Sequence, residues 1–375
     1  TLMMDPTMAE IKEAVTDLNG QSQAGALPPA ILKVVALQEW EIPDPTEPSD
    51  KDTKNTIRKK PREVLSLLRK IVTMAIKIKN LPSNEKITVT TNIPKMEGQV
   101  NDLDKTRPIS VSPIIGRIIN KIMARRLART LDEHSYIDKA QHAFLPGKSI
   151  HEPIQTAIHC YQQSLTTPNN KPGRAMYAVY YDLSKAYDTM RWSSIEKALR
   201  RIGAGRGFID FVMNSLEGTM TVMKTGSHGR VTPMVQMRKA VKQGCPLAPL
   251  LFAIVMDELH VKLRKSGLGY KIKHGPTVSS RGYCDDTMII ADKLGDIETM
   301  NTIVQNFCKE HHFTMNIKDK SYITGRNADG TEISPTYQLK WGKENITKIA
   351  TTRAIRYLGA YVAADLNWKK QISVM

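Results

Sequence analysis

The chain has 375 residues, 41% of them apolar and 24% charged, a composition that supports two or three structural units and excludes a disordered chain. Lys and Arg number 54 against 37 Asp and Glu, a net +17 that favours a polyanionic partner, and nucleic acid over membrane because no amphipathic anchor stands out. No run of about 18 apolar residues predicts a membrane span, the polar start TLMMDPTMAEIKEAV is no secretory signal, and Cys160, Cys245, Cys284 and Cys308 form neither a zinc array nor a disulfide framework.

Met8, Ile11, Val15 and Leu18 mark one face of a short helix over residues 8–20, with Asn19-Gly20 as its stop. EWEIPDPTEPSD (39–50) reads as a linker or surface loop. Residues 51–80 carry ten Lys or Arg against two acids, and within them Val64, Leu67, Leu68, Ile71, Val72 and Ala75 trace a helical stripe. That helix is either solubilised by its charges or turned toward nucleic acid. ITVTTNIPK (87–95) has strand composition. PIIGRIINKIMARRLART (113–130) predicts a helix with an apolar stripe and a basic face of Arg117, Lys121, Arg125 and Arg126. AMYAVYYDL (175–183) reads as a buried strand. SSIEKALRRIGAG then predicts a helix with a capping box from Ser193 to Glu196 and a stop at Gly203. A hairpin around Gly226 and Gly229 precedes the apolar helix PLLFAIVMDELHVKLRK and a strand–turn–strand through GYCDDTMII (282–290). The helix IETMNTIVQNFCKEHH and short strands near ITG and IRYLGAYV follow. This order predicts an α+β layer, with helices on one face of a small antiparallel sheet.

An Asp-Asp pair is ordinarily a solvated turn, but Asp285 and Asp286 stand beside a run of strand composition, where Asp is depleted. Asp182 ends another hydrophobic strand, and a carboxylate buried there is costly without a compensating charge. Two strands that each end in Asp would gather three carboxylates at one sheet edge. Such a cluster repels itself unless divalent cations sit in it. Hard oxygen ligands with open water positions suit Mg²⁺, and a pair of such ions serves in-line phosphoryl transfer. His142, His151, His311 and His312 show no ligand spacing.

YYDLSKAYDTM, KQGCPLAPLLFAIVMDEL and GYCDDTMII, in that order, resemble the A, B and C motifs of reverse transcriptases. DKTRPISVSPIIGRIINKIMARRL resembles the fingers motif built on Arg-Pro-Ile-Ser, and QHAFLPGKSIHEPI the QxGFxxGxS-type motif after it. FTMNIKDKSYI resembles motif D with its Asn and Lys, and IRYLGAYV the primer-grip motif E. The QGCPL form of motif B is similar to that of non-LTR (LINE-like) retrotransposons, and the resemblance covers about residues 8–368. It implies a right-hand polymerase with an N-terminal extension and basic helix over 1–86, fingers and palm over 87–365, and the start of a truncated thumb over 366–375. It also implies an RNA template, a DNA primer and dNTPs as partners, no membrane, and two Mg²⁺ with Mn²⁺ as substitute. The setting it implies is an intracellular, nuclear or cytoplasmic ribonucleoprotein.

The same resemblance assigns Asp182, Asp285 and Asp286 as catalytic metal ligands. Lys95 and Arg107 would grip the incoming triphosphate; Lys95 reads equally as an ordinary surface cation, whereas Pro108-Ile109-Ser110 fixes the alignment of Arg107. Tyr187 falls at the steric gate, where a ring under the sugar clashes with a 2′-hydroxyl; its other reading is a core Tyr. Gln243 and Gly244 would approach the nucleotide and template, and Lys320 is a candidate general acid toward pyrophosphate, or only a phosphate neighbour. Leu358-Gly359 would form the primer grip, or an ordinary turn. Cys284 stands where the family more often has Ala. Ala143, Ala240 and Ala248 depart from the family's Gly, Gly and Ser, and a β-carbon where φ > 0 is wanted would strain the chain. A weakened or inactive nucleic-acid-binding remnant, a group II intron-type maturase and an RNA-dependent RNA polymerase stand as rivals, Tyr187 and QGCPL opposing the last.

Overall fold

The computed structural model describes residues 2–19, 24, 27–37, 40–43, 56–59, 62–95, 105–165, 173–225 and 230–375. The chain forms two compact units, Thr1–Leu127 with Gly203–Ala248, and Ala128–Ile202 with Pro249–Met375.

The first unit opens with the helix Met8–Thr16, which Thr7 and Glu10 start as a reciprocal capping box that the sequence reading overlooked. It stops at Thr16, short of the expected residue 20, yet Leu18 is still buried; Gly20 lies outside the described residues. Of the presumed linker, Trp40–Pro43 pairs with Thr56–Lys59 as two short strands, and residues 44–50 lie outside the described residues. The helix Arg62–Lys77 turns Leu65, Leu68, Val72, Ala75 and Ile76 inward and leaves Leu67 58% exposed, so the buried stripe is rotated from the one expected. The basic face of the helix Ile114–Glu133 serves the fold. Arg126 forks onto the Glu10 carboxylate at 2.7 and 2.8 Å and donates to the carbonyl oxygens of Leu2 and Met4. Arg125 pairs with Asp17, whose carbonyl oxygen accepts from Lys121. The Arg126 guanidinium holds the Glu10 carboxyl down at about 2.

The sheet of this unit is built on Ile87–Pro94. That strand pairs antiparallel with Thr106–Val111 and parallel with Met220–Thr225, and Thr90 joins its neighbours through Ser110 (2.8 Å) and Thr221 (2.7 Å). Met220–Thr225 returns as Arg230–Val231, giving the expected hairpin, whose Gly226 and Gly229 lie outside the described residues.

The second unit carries a sheet ordered Ser280–Tyr283, Asp286–Ala291, Met176–Tyr181, Tyr322–Arg326 and Thr347–Lys348, antiparallel except at the last pair. Every residue of Met176–Tyr181 is buried, because helices cover both faces of the sheet and not the single face expected. Successive strand residues point to opposite faces. Tyr180 accordingly meets Tyr161 of the helix His151–Leu165 (3.0 Å between hydroxyls), while the Tyr181 hydroxyl donates to Asn301 of the helix Leu294–His311 (2.8 Å). A run apolar on both faces needs two covers; one cover would have left alternating polar residues. The helix Trp192–Arg201 has no side-chain cap, since Ser193 falls inside it, but Gly203 ends it at φ +73° as expected.

His260 lies fully buried behind the hairpin, with Nδ1 2.9 Å from Ser280 Oγ. A β-carbon on Gly282 would meet the His260 ring at 2.5 Å. Gly282→Ala is therefore expected to cost about 1–3 kcal/mol by overpacking, and His260→Ala in the same chain to recover part of it in urea unfolding. Burial also holds the His260 and His142 imidazoles down at about 4. The unfolded chain then takes up protons first as pH falls from the ordinary 6.5. Stability should accordingly decline between pH 6.5 and 4, by up to about 1.4 kcal/mol per unit for each His. His260→Gln should flatten that slope in unfolding measured across the same range.

Candidate active site

In the second unit, Thr287 pairs with Tyr181 in an antiparallel ladder, so one rung further Asp286 faces Asp182. Directly opposed residues bring their Cβ atoms to about 5 Å. Asp285 sits beside them in the two-residue loop between Tyr283 and Asp286, which pair with each other. Cys284, first in that loop, has φ +61°, and Asp285 does not share the positive sign, as in a type II′ hairpin. For a residue with a β-carbon, the left-handed region costs about 1–2 kcal/mol.

The carboxylates pay for their proximity. Burial, then the charges of Asp285 and Asp182, pushes the Asp286 carboxyl up to about 7. Asp285 is raised as well, by burial first and with the Asp182 charge adding. Asp182 is tied into the chain by bonds on three sides: its N–H donates to Ser321 Oγ (3.3 Å), its carbonyl oxygen accepts from Asn316 N (2.9 Å), and its Oδ2 accepts from Asn316 Nδ2 (3.5 Å). Lys320 Nζ stands 3.6 Å from the same Oδ2. Three partly shielded, mutually repelling oxygen donors with an exposed ammonium beside them suit a hard divalent cation.

Tyr187 lies flat on Phe252 with ring centroids 5.0 Å apart, and its hydroxyl is 3.4 Å from Cys284 Sγ. The ring is half-buried against the loop that bears the carboxylates, where both readings of this Tyr meet. Leu358 and Gly359, at φ +51° and +89°, form the loop of the hairpin Ile355–Tyr357 and Ala360–Val362, as a type I′ turn requires. Arg356, in the first of those strands, adds positive potential at Asp286. The sequence reading overlooked Arg356, Ser321 and Phe252, although each lies in or beside a quoted motif.

Lys95, Arg107, Gln243 and Gly244 belong to the first unit. Both Lys95 and Arg107 are exposed; Lys95 follows the strand Ile87–Pro94, its N bonding the Lys105 carbonyl oxygen at 2.9 Å, and Arg107 lies in the partner strand Thr106–Val111. Ser110 N donates to the Gln243 carbonyl oxygen (2.7 Å), and a β-carbon on Gly244, at φ +119°, would stand 2.5 Å from the Ser110 carbonyl oxygen. Gly244 is thus required where the motif B loop lies against the strand of Arg107. Of the three departures, Ala240 does adopt the left-handed region, at φ +77°. Ala143 and Ala248 do not; Phe144 takes the positive φ (+60°) beside Ala143, and Ala248 begins a helix.

Among the described residues, the tightest group of potential ligand atoms lies elsewhere, in Glu258, Glu310 and His311, all within 4.8 Å. Lys262 holds Glu258 and Glu310 at 2.7 Å each, and Lys197 pairs with both. With two ammonium groups already on two carboxylates, this is an ion-pair hub and not a cation site.

A sheet edge bearing three carboxylates suits the class of template-directed nucleotidyltransferases with a fingers-and-palm fold. The chain belongs to the family described as reverse transcriptase (RNA-dependent DNA polymerase), which it matches over residues 93–362. It is similar to the Retrovirus-related Pol polyprotein from type-1 retrotransposable element R2 of Popillia japonica, at 29% identity over 72% of this chain and 37% of that protein. The type-2 element R2DM protein of Drosophila melanogaster is 28% identical over 80% of this chain and 27% of its own length. The RNA-directed DNA polymerase from mobile element jockey, of the same fly, is 21% identical over 85% of this chain and 33% of its own length. The chain thus spans little more than a third, at most, of these curated relatives. In fold it is similar to apo telomerase from Candida tropicalis, with a TM-score of 0.51 and 11% identity over 89% of this chain and 56% of that one. Among the described residues no helix is long and apolar enough to cross a membrane.

The repulsion among the carboxylates has a measurable consequence. In EDTA at neutral pH, Asp286→Asn is expected to raise the melting temperature, because it removes one of three like charges from a shielded site. A lower melting temperature would contradict the reading of this edge as a strained, charge-loaded site.

Proposed function

We propose that this region polymerises deoxynucleotides on an RNA template from a DNA primer, as part of a non-LTR-type retroelement protein. Residues 87–365 are its fingers and palm, and residues 1–86 an N-terminal extension. The observation that supports this reading most is the register that sets Asp286 opposite Asp182 with Asp285 in the adjoining loop. Mg²⁺, or Mn²⁺ in its place, would be held by these three residues and would lower the pKa of the primer 3′-hydroxyl and steady the triphosphate. The protein's own part is positioning and charge. Lys320, whose Nζ is 3.6 Å from Asp182 Oδ2, would donate a proton to the leaving pyrophosphate. Tyr187, backed by Phe252, would exclude a 2′-hydroxyl. Arg107 and Lys95 offer exposed cations to the triphosphate, the Gln243-Gly244 loop offers backbone to nucleotide and template, and the Leu358-Gly359 turn grips the primer. The working setting is a nuclear or cytoplasmic ribonucleoprotein.

A weakened remnant that binds nucleic acid is the second reading, and Ala240 at φ +77° favours it. Primer extension on an RNA template separates the two. The unmodified chain should incorporate dNTPs, and Asp182→Asn, Asp285→Asn and Asp286→Asn should each lower the rate by roughly two to three orders of magnitude. Tyr187→Val should narrow the preference for dNTPs over ribonucleotides by roughly tenfold or more. Template–primer binding without extension by the unmodified chain would decide for the remnant.

A further inference from the structure

Gln141 opens the QHAF stretch and is fully buried. Its side chain spends its bonds on the loop that carries the carboxylates: Oε1 accepts from Cys284 N (3.0 Å) and from Ala143 N (3.0 Å), and Nε2 donates to the Cys284 carbonyl oxygen (3.4 Å). The two-residue loop leaves both peptide groups of Cys284 outside the strand ladder, which closes at Tyr283 and Asp286. One amide takes up both. Backbone bonds from the same stretch hold the approach to the loop, His142 N donating to the Gly282 carbonyl oxygen (3.0 Å) and Gly282 N to that of Ala140 (2.9 Å).

Gln141 is itself held from behind. Gln141 N donates to the Asp138 carbonyl oxygen (3.0 Å), and the Asp138 carboxylate accepts from Ala140 N (3.0 Å) and Arg264 Nε (2.5 Å). Asp138 N donates to the fully buried Asp257 (2.6 Å), which Arg201 also holds at 2.6 Å. Charge-assisted bonds thus hold Asp138 to a helix, and a backbone bond joins it to Gln141, whose amide pins Cys284 in a conformation a residue with a β-carbon resists. Asp285 is the next residue, so whatever fixes Cys284 fixes where the backbone carries that carboxylate.

We propose that Gln141 is a positioning residue of the polymerase reaction, which keeps Asp285 in place by clamping both peptide groups of Cys284 and does not touch substrate. The proposal rests on the assignment of Asp285 to the site. Gln141→Met keeps the volume and removes all three side-chain bonds. In primer extension on an RNA template it should lower kcat roughly 10- to 100-fold, as a misplacement on the ångström scale does. The KM for dNTP should stay within about twofold, since ground-state contacts are left alone. The Mg²⁺ concentration for half-maximal rate should rise several-fold, and amide exchange at Cys284 should quicken while the rest of the sheet stays protected. Cys284→Gly added to Gln141→Met should restore part of kcat, because glycine takes the left-handed backbone freely. A fall in melting temperature with kcat per folded molecule unchanged would overturn the proposal, as would unaltered exchange at Cys284. Extension that Asp285→Asn leaves intact would overturn the assignment of Asp285 to the site instead, and exchange at Cys284 would still test the clamp.

Discussion

The antiparallel register between Met176–Tyr181 and Asp286–Ala291 is the constraint on which the site depends. Slipping the pairing by one residue would turn every side chain of one strand to the other face. Asp286 would leave Asp182, and Met288 and Ile290 would leave the cluster they share with Ala178 and Tyr180. The register is enforced from both sides, through Tyr161 on one face and Asn301 on the other. The apolar burial that makes this sheet stable therefore also makes the convergence of like charges tolerable. Shielded carboxylates are costly in the metal-free protein, and the surrounding core supplies the excess stability to hold them there.

Positive charge has a divided use in this chain. Arg126, Arg125 and Lys121 meet Glu10, Asp17 and backbone carbonyls within the first unit, and Lys197 and Lys262 neutralise Glu258 and Glu310 in the second. A net charge of +17 thus overstates what is left for a nucleic acid, though Arg107 is among the exposed cations. Counting charges along a sequence cannot separate the two uses, because acidic partners such as Glu10 of Arg126 and Asp17 of Arg125 lie more than a hundred residues away.

Much of the site was legible because its parts are short, ordered motifs. Asp182, Asp285 and Asp286 could be joined by strand logic alone, and their common edge follows from one ladder. The elements with strong periodicity came out as expected, whereas their ends did not: a helix overran at Thr16, and a capping box was placed at Ser193 while the one at Thr7 went unseen. Caps depend on local φ and ψ, to which hydrophobic spacing is blind. The second helical cover on the sheet was missed for a related reason, since an unbroken apolar strand does not say how many layers lie over it. Gln141 was hidden more deeply. Two of its three side-chain bonds go to backbone atoms 143 residues further on, and a peptide group carries no signature in the sequence. Conversely, the strain expected at three alanines appears at Ala240 alone, because the neighbouring Phe144 accepts the left-handed turn beside Ala143.

The sheet of the first unit joins Ile87–Pro94 to Met220–Thr225 in parallel, across an intervening stretch that builds much of the second unit. During synthesis, Ile87–Pro94 has its antiparallel neighbour within a few residues, but its other edge waits until the chain beyond Met223 has been made. For that interval it presents an unpaired row of amides and carbonyls, the kind of edge on which other strands dock. Closing so long a connection also costs entropy before any parallel contact repays it. The first unit therefore stays open until residues 220–225 have been made, long after its strand Ile87–Pro94.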